Sequence, residues 1–541
     1  MQSNSGVLPV RTDCLPISAL PHNTRLYNDY LFNFDKVSKF YSRPPRFDWI
    51  SDEASRIQYP DDRRSRVADV LARQNRAYGA SEKTHANIER LRKGAIAAVT
   101  GQQVGLFGGP LFSILKAVSV LELAEQATAA GHDCIPVFWL ATEDHDLEEV
   151  NNAILPEPIT LRKLQSTSRG KAASPVKQVK FADEINGLVK RAQEVLGEGW
   201  VSDLLAESYR PGVDYGQAFG TLFAGLFAQH GIVLLDPSDP ELHEIAKPVF
   251  VNAAQQARDI DSALLARGKE LRDADYHEQV KVTPESTTLF VIENGARTPV
   301  HLANGDYMIG AQKISSAGLL ARINEHPEQF SANVLLRPVM QDYLLPTLAY
   351  FGGPAEVAYF AQISVVYEKL AGRVTPALPR FTATLIEPRV QKLLTRYNLT
   401  MMDFFGGAEL LKETLASREL PQELHRTFDA ADSHLDQIFN GVKSALQKLD
   451  PTLVDAAKLS ERKMRYHVER LRSKAARAEL RRNQLIEQHA NELLTHLYPN
   501  QTLQERELAG IYFIARHGTD LIDSLVDAAR AHCPGHQLIY L

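Results

Sequence analysis

The chain has 541 residues, of which 44% are hydrophobic and 23% charged, and its formal net charge is −6. This length exceeds one compact core, so it predicts about three domains or one large domain with insertions. The mild net charge argues against nucleic acid as the main partner. No stretch approaches the roughly 20 apolar residues of a membrane-spanning helix, which argues against a membrane protein.

Cysteine usage and the N-terminus indicate a cytoplasmic protein. Cys14, Cys134 and Cys533 lie far apart in the chain and form no C-x-x-C pair. This pattern fits a reducing compartment and predicts neither a disulfide framework nor a zinc ribbon. The N-terminal stretch MQSNSGVLPVRTD lacks the apolar region of a signal peptide.

The first elements in chain order are helices. Residues 1–94 read as loops and helices without strands, and we expect this N-terminal helical segment to pack on the core. Ala95–Val99 is a short apolar run typical of a buried strand. A glycine-rich turn, TGQQVGLFGGP, follows, and then a helix from Leu111 to about Ala130.

The glycine-rich turn is the first candidate for a ligand site. Unpaired N–H groups at the start of the following helix would favour an anion. No Lys-Ser/Thr follows the last glycine, so the turn is not a P-loop, nor is it a G-x-G-x-x-G fingerprint. An ordinary loop-to-helix turn is the alternative. The candidate binding residues are Thr100, Gly101, Gln102, Gln103, Gly108 and Gly109.

The second strand, Cys134–Ala141, ends in a cluster of ionisable residues, Glu143, Asp144, His145 and Asp146. A histidine between carboxylates suits general acid–base catalysis, so His145 with Asp144 or Asp146 is the candidate catalytic group. Glu143 is a candidate binding residue. The same carboxylates suit a magnesium ion, and an acidic N-cap of the next helix is the plain alternative.

Two further apolar runs complete the predicted sheet: Gly231–Asp236 as a third strand and Asn333–Val339 as a fourth. Short apolar strands that alternate with helices predict an α/β fold with a Rossmann-like parallel sheet. We place this core at 95–385, with insertions near 157–201 and 270–332. Within the second insertion, two Asn-Gly pairs predict a small antiparallel meander over 287–310.

A second FGGP tetrapeptide, Phe351–Pro354, opens another helical pattern after the predicted fourth strand. An arginine here suits a carboxylate or phosphate, and the nearby carboxylates suit an ammonium group. Structural salt bridges are the alternative explanation. The candidate binding residues are Arg337, Gln341, Asp342, Gly352, Gly353, Glu356 and Tyr359.

The C-terminal third carries heptad spacing on two successive segments. Apolar residues recur at alternating intervals of four and three from Leu424 to Leu449, and again from Met464 after a break at Pro451. This pattern predicts an antiparallel α-helical coiled-coil arm. We place the helical coiled-coil domain at 386–498 and a C-terminal segment that returns to the core at 499–541.

Taken together, four motifs resemble one family, the bacillithiol biosynthesis cysteine-adding enzymes (BshC). They are TGQQVGLFGGPLFSILKAVSV, PVFWLATEDHDLEEVN, LLRPVMQDYLLPTLAYFGGPAEVAYFAQ and the terminal LQERELAGIYFIARHG…HQLIYL. The resemblance spans nearly the whole chain. It implies a Rossmann-like core with connecting-peptide insertions, a coiled coil and a homodimer.

The resemblance also implies a carbon–nitrogen bond-forming ligase that joins L-cysteine to the amine of glucosaminyl malate. ATP with magnesium is the implied activator, and we assign no residue to a metal. The HIGH and KMSKS signatures of class I synthetases and a cysteine-based zinc site are missing. Two alternatives are a Rossmann-like nucleotide-dependent transferase or ligase with another small amine acceptor, and a non-enzymatic coiled-coil scaffold.

Overall fold

The computed structural model describes residues 11–21, 23–531 and 533–541. The chain divides into two compact units. The first comprises the described residues up to Leu155 together with Arg162–Thr384 and Glu505–Ile539. The second comprises Pro156–Leu161, Leu385–Gln504 and Tyr540–Leu541. Residues 1–10 of the predicted N-terminal segment lie outside the described residues.

The strands in chain order are β1 (Arg11–Leu15), β2 (Ile96–Gln102), β3 (Cys134–Leu140), β4 (Asn152–Pro156), β5 (Leu161–Gln165), β6 (Val233–Leu235), β7 (Ser286–Glu293), β8 (Ala296–Ala303), β9 (Asp306–Ile309), β10 (Gln312–Ile314), β11 (Phe330–Ala332), β12 (Thr347–Gly352), β13 (Ala377–Pro379), β14 (Ala383–Ile386) and β15 (His536–Tyr540). Because β1 is a strand, the prediction of an N-terminal segment without strands is wrong.

The helices in chain order are α1 (Arg25–Phe32), α2 (Ile50–Arg56), α3 (Asp61–Ala77), α4 (Glu82–Arg92), α5 (Phe112–Ala129), α6 (Leu147–Val150), α7 (Glu184–Leu196), α8 (Trp200–Ser208), α9 (Tyr215–Leu226), α10 (Pro240–Gln255), α11 (Ala257–Asp273), α12 (Ser316–Glu325), α13 (Arg337–Leu344), α14 (Pro354–Leu370), α15 (Pro388–Arg396), α16 (Ala408–Arg418), α17 (Gln422–Leu449), α18 (Leu453–Arg482), α19 (Gln484–Leu497), α20 (Gln504–Glu507), α21 (Gly510–His517) and α22 (Asp520–Arg530). Short 3-10 turns separate several of them.

The core of the first unit is a five-stranded sheet with the order β13-β12-β2-β3-β6, and every neighbouring pair is parallel. Numbered by their appearance in the chain, these strands run 3-2-1-4-5 across the sheet, which is the Rossmann order. The direction of winding changes between β2 and β12. Ligands of open α/β sheets bind at that switch point, beyond the carboxyl ends of the strands.

The predicted fourth strand is wrong, although the predicted fold class is confirmed. Asn333–Val339 contains a turn and the start of α13, and the true fourth strand of the sheet is β12. Pro338 lies in the first turn of α13, where a proline ring fits a helix without removing a hydrogen bond. The buried Leu336, Val339 and Met340 follow helical spacing in the structure.

The predicted meander is confirmed and is larger than expected. Five antiparallel strands have the order β10-β9-β8-β7-β11. Asn294 and Gly295 join β7 to β8, and Asn304 and Gly305 join β8 to β9, all four with positive φ. This conformation is that of the two-residue turns that match the twist of a hairpin.

The second unit contains the predicted coiled-coil helices. α17 and α18 are the two long helices, and Pro451 lies in the break between them. Charged pairs link them along their length: Arg465 contacts Asp436, Arg472 contacts Asp432, and Lys443 contacts Glu461. A proline cannot continue a helix from the preceding turn, so the heptad pattern is interrupted there.

The cysteines differ from the prediction. The sulfur atoms of Cys14 and Cys533 are joined in a disulfide, with their Cα atoms 6.0 Å apart, whereas Cys134 is free and buried. The two partners are separated by 519 positions in the chain, so their spacing gives no signal of pairing. In the part of the chain that the structure describes, no helix is long and apolar enough to cross a membrane.

Candidate active site at the switch point of the sheet

A cavity of about 520 Å³ lies where β2, β3 and β12 end, and we call it the switch-point cavity. The glycine-rich turn contributes Gly101, Gln102 and Gln103 to its lining, and the second FGGP turn contributes Gly353. Two loops that are about 250 residues apart in sequence therefore meet at one site, because β2 and β12 are neighbours in the sheet.

A buried ion pair joins the two turns. The Lys116 ammonium lies 2.5 Å from a Glu356 carboxylate oxygen and also donates to the Gly101 carbonyl and the Gln102 amide oxygen, at 2.7 and 2.9 Å. Burial lowers the pKa of Lys116, and Glu356 offsets part of this effect. Burial alone would raise the pKa of Glu356, but the adjacent Lys116 holds it below its usual value.

Glu356 also closes the start of α14. Its carboxylate accepts hydrogen bonds from the Gly353 N–H at 2.8 Å and from the Tyr350 hydroxyl at 2.6 Å. At the start of α14 the Gly353 N–H is therefore bonded to a side chain of the same helix, as in other N-terminal caps. Glu356 is a structural partner of Lys116 that lines the cavity.

Arg337 lines the cavity, and its side-chain contacts are with neutral groups. Its guanidinium donates to Tyr359 Oη at 3.0 Å and to Gln341 Oε1 at 3.1 Å, and it lies over the Tyr350 ring. Burial would lower the pKa of Arg337, but the tyrosines and Glu356 raise it, so the group stays charged. Burial raises the pKa of Tyr359 to about 12, which keeps its hydroxyl protonated.

Two further arginines, Arg380 and Arg506, line the cavity from the C-terminal part of the first unit. Arg380 makes a two-point ion pair with Glu505, at 2.5 and 3.0 Å, whereas Arg506 is exposed. Among the described residues, neither Arg337 nor Arg506 has a carboxylate within salt-bridge distance. These two guanidinium groups are therefore available to an anionic ligand.

The end of β3 supplies Asp144 on the opposite side. One carboxylate oxygen of Asp144 accepts a hydrogen bond from Gln103 Nε2 at 2.7 Å, and the other accepts one from the His145 N–H at 2.7 Å. Gln103 donates its second amide hydrogen to Glu149 at 2.8 Å. Asp144 is thus held in a fixed orientation at the cavity wall, which suits a general base.

His145 and Asp146 lie outside the cavity lining. Both side chains are exposed, and the His145 ring lies 3.6 Å from Asp144 and 3.5 Å from Arg297. Asp146 accepts a hydrogen bond from the Glu149 N–H and so caps α6, which is the plain alternative that the sequence left open. Of the three candidate catalytic residues, only Asp144 lines the cavity.

Glu143, unlike Asp144, forms an ion pair with a histidine of α10. Its carboxylate lies 3.0 Å from Nε2 of the buried His243, whose Nδ1 lies 3.3 Å from the Pro327 carbonyl. Burial would lower the pKa of His243, but Glu143 outweighs this effect and raises it. Sequence reasoning missed His243, because α10 places it and no local motif surrounds it.

The other candidate residues do not line the switch-point cavity. Thr100 donates to the Phe351 carbonyl at 2.8 Å, and Gln341 is buried beside Arg337. Asp342 accepts from Tyr367 at 2.7 Å and lines another cavity with Arg63 and Arg373. Gly108, Gly109 and Gly352 are buried and do not belong to the lining.

A second cavity, of about 480 Å³, lies between the sheet and the antiparallel meander, and we call it the meander cavity. Arg297 of β8 lines it, donating to Ser331 Oγ at 3.0 Å and to the Ala332 carbonyl at 2.7 Å. Six residues line both cavities: Trp139, Ala141, Asp144, Val280, Val334 and Arg337. The two cavities therefore share a wall that contains Asp144 and Arg337.

Comparison with known proteins identifies the family of the chain. The family model described as "Bacillithiol biosynthesis BshC, N-terminal Rossmann-like domain" matches residues 10–381, and the one described as "Bacillithiol biosynthesis BshC, C-terminal coiled-coil domain" matches 383–541. The chain belongs to the BshC family. The predicted family and the predicted class of enzyme, a ligase, are thereby confirmed.

Three relatives illustrate the extent of the similarity, and each is named "Putative cysteine ligase BshC". The protein of Koribacter versatilis is 51% identical over 97% of this chain and 99% of its own length. The protein of Solibacter usitatus is 37% identical over 97% and 99%. The protein of Salinibacter ruber is 36% identical over 97% of each chain. The BshC similarity therefore covers both compact units.

Proposed function

We propose that this BshC-family protein joins L-cysteine to the amine of glucosaminyl malate and so forms bacillithiol. The single observation that carries the proposal is the pair of guanidinium groups, Arg337 and Arg506, that line the switch-point cavity without a carboxylate partner among the described residues. A malate group carries two carboxylates, and arginine binds a carboxylate in a planar, two-point contact. We take cysteine as the second substrate from the relatives, which are named cysteine ligases.

In this proposal Asp144 is the general base. The glucosamine nitrogen attacks the carbonyl carbon of an activated cysteine carboxyl, a C–N bond forms, and the bond to the leaving group breaks. The proton of the attacking amine passes to Asp144, which Gln103 holds in place. Asp144 lines both cavities, so it is positioned at the boundary where two substrates would meet.

ATP is the co-substrate that we propose for activation, with phosphate or AMP as the leaving group. The described residues contain no cluster of three His, Cys, Asp or Glu side chains suited to a metal. We therefore assign no protein ligand to magnesium and derive no step through it. Magnesium bound with nucleotides takes many of its ligands from phosphate oxygens and water.

The assay uses the full-length protein with cysteine, glucosaminyl malate and ATP, with bacillithiol detected by mass spectrometry and AMP or ADP measured in parallel. Formation of bacillithiol supports the proposal, and absence of product with every nucleotide, including in cell extract, contradicts it.

Asp144→Asn should lower kcat about 10²- to 10⁴-fold, as expected for loss of a general base. His145→Ala should change kcat less than about threefold, because His145 lies outside the cavity lining.

We also propose that the protein is a homodimer that associates through its coiled-coil arm. Apolar heptad residues remain exposed after α17 and α18 have paired: Ile438 is 58% exposed, Leu471 59% and Leu449 77%. Such a stripe favours contact with a second copy. Light scattering should give a dimer mass for the wild type and a monomer mass for Ile438→Glu with Leu471→Glu. A dimer mass for that variant would contradict this interface.

A further inference from the structure

The meander cavity contains a buried carboxylate that lacks a full set of partners. Asp261 of α11 lines this cavity and is only 8% exposed. Its Oδ1 atom has no hydrogen-bond partner among the residues that the structure describes. Burial raises the pKa of Asp261. A carboxylate in such a place is stabilised when a cation enters the cavity, since an unpaired buried charge is costly.

The positively charged Arg297 lines the same cavity as Asp261. Arg297 holds its position through Ser331 and Ala332 and through the Phe290 ring, which lies 4.0 Å from the guanidinium carbon. A guanidinium group has five N–H donors, so these contacts leave donors for a ligand. Arg297 therefore provides an anchor for a carboxylate, and Asp261 provides one for an ammonium group.

Apolar side chains contribute a large part of the remaining wall, beside polar and charged residues that include Thr288, Lys281 and the shared Asp144 and Arg337. Ile260 and Leu264 come from the same helix as Asp261, and Val282 and Val300 come from the insertion. A thiol side chain behaves as a small hydrophobic group when it is buried. This composition suits a small amino acid with an apolar or thiol side chain, whereas the switch-point cavity with its arginines suits a polyanion.

We propose that the meander cavity is the amino-acid subsite: it binds a small zwitterionic amino acid, with the ammonium group on Asp261 and the carboxylate on Arg297. This inference rests on the proposed function, which makes the amino acid cysteine. The carboxyl group then lies on the side of the shared wall that holds Asp144, with glucosaminyl malate beyond it in the switch-point cavity. Each substrate then occupies its own cavity, and the reacting groups meet at the wall that the two cavities share.

The test is titration calorimetry on the full-length protein with three probes. L-2-aminobutyrate has the shape of cysteine without a thiol that would exchange with the Cys14–Cys533 disulfide. Butanoate lacks the ammonium group, and glucosaminyl malate probes the other chamber. The variant is Asp261→Asn, and the matched control is Asp259→Asn, an exposed aspartate on the same helix.

We expect Asp261→Asn to weaken L-2-aminobutyrate about 10- to 100-fold, as for loss of a charged hydrogen bond. Its affinities for butanoate and glucosaminyl malate should change less than twofold, and Asp259→Asn should match the wild type. In turnover, KM for cysteine should rise while KM for glucosaminyl malate stays constant. The wild type should also bind L-2-aminobutyrate at least tenfold more tightly than butanoate, which tests the ammonium anchor without any variant.

Equal binding of L-2-aminobutyrate by Asp261→Asn and the wild type would overturn the subsite. So would equal wild-type affinities for L-2-aminobutyrate and butanoate. If glucosaminyl malate binds normally in either case, the proposed function stands without this subsite. If the wild type binds neither glucosaminyl malate nor the amino acid, the proposed function itself is overturned. The melting temperature of Asp261→Asn should equal or exceed that of the wild type, because the change removes an unpaired buried charge.

Discussion

The same tetrapeptide, FGGP, occurs twice in this molecule and has two different roles. In the first turn, the Gly108 N–H bonds to the Tyr209 hydroxyl and the Leu111 N–H bonds to the Leu508 carbonyl. In the second turn, Gly353 lines the switch-point cavity and its N–H bonds to Glu356. The first FGGP segment, at 107–110, packs against the protein's own backbone and side chains, whereas the second borders the switch-point cavity.

The difference shows that a glycine-rich helix start is not by itself an anion site. At the first turn the Gly108 and Leu111 N–H groups bond within the protein, and at the second turn the Gly353 N–H does so. In the proposed function, side chains beyond the turns bind the anion, above all Arg337. What the two turns contribute is close approach of the backbone, and Lys116 bridges them.

The largest effect is expected from breaking that bridge. Lys116→Met leaves the Glu356 carboxylate without its cation and the Gly101 carbonyl without its donor, so we expect a loss of about 3 kcal/mol in unfolding free energy. Turnover should fall at least about 100-fold, since the two turns that line the cavity lose the side chain that links them. Glu356→Gln in the same chain should restore part of the stability but not the turnover. Full turnover in the single variant would show that the bridge is not needed.

A pH-dependent effect of similar size is expected beside the second turn. Arg380 donates its N–H to the Gly352 carbonyl and pairs with Glu505, whose pKa the Arg380 charge lowers to about 2 despite burial. Nearby, burial lowers the pKa of His536 from 6.5 to about 4. The folded protein keeps this imidazole neutral while the unfolded chain takes up a proton below pH 6.5, so stability falls between pH 6.5 and about 4.

The expected loss from His536 is about 3 kcal/mol across that window. Denaturant unfolding at a series of pH values measures it as a slope. His536→Gln should reduce the slope by about one proton, whereas His434→Gln, a change at an exposed histidine, should leave it unaltered. An unchanged slope in His536→Gln would contradict the assignment.

A smaller effect on stability alone is expected at the first turn. Gly108 has φ of 86°, and an added Cβ would lie 3.2 Å from a Leu222 methyl carbon. Gly108→Ala should therefore cost about 1–3 kcal/mol, because it places a side chain in the left-handed region and in a packed interior. Turnover, divided by the folded fraction that a thermal melt gives at the assay temperature, should match that of the wild type. A selective rise in KM would mean that the first FGGP segment does contact substrate.

The smallest effect is expected at the second turn. Gly353 has ordinary backbone angles, and a Cβ there would lie no closer than 3.7 Å to Glu356. Gly353→Ala should change the melting temperature little and raise KM for glucosaminyl malate a few-fold, since the methyl group enters the cavity lining. If KM stays constant while stability falls, the two turns have the same role.

The sequence predicted some of these features because the signal was local. The apolar runs at β2, β3 and β6 and the two Asn-Gly hairpins are encoded by adjacent residues. The strand predicted at Asn333–Val339 failed because leucine and valine suit a buried helix as well as a buried strand. Lys116 did carry a signal: it is the one Lys or Arg in the mostly apolar helix α5.

Other site residues had no signal in the local sequence. Asp261, Arg297 and Arg506 come from three segments that only the fold brings to neighbouring cavity walls. The pairing of Cys14 with Cys533 likewise depends on segments at the two ends of the chain. His145 looked catalytic because it lies between carboxylates, but its exposure was decided by the turn after β3.

The sequence by itself determined the family, the Rossmann-like class, the hairpins and the heptad helices, since each depends on short-range periodicity or on motifs that can be read along the chain. Only the tertiary structure decided which side chains share a cavity. Parallel neighbours in a sheet are joined by long crossovers, so β2 and β12 meet at the switch point although about 250 residues separate them. Burial and charge pairing then decide which of those side chains remain available to a substrate.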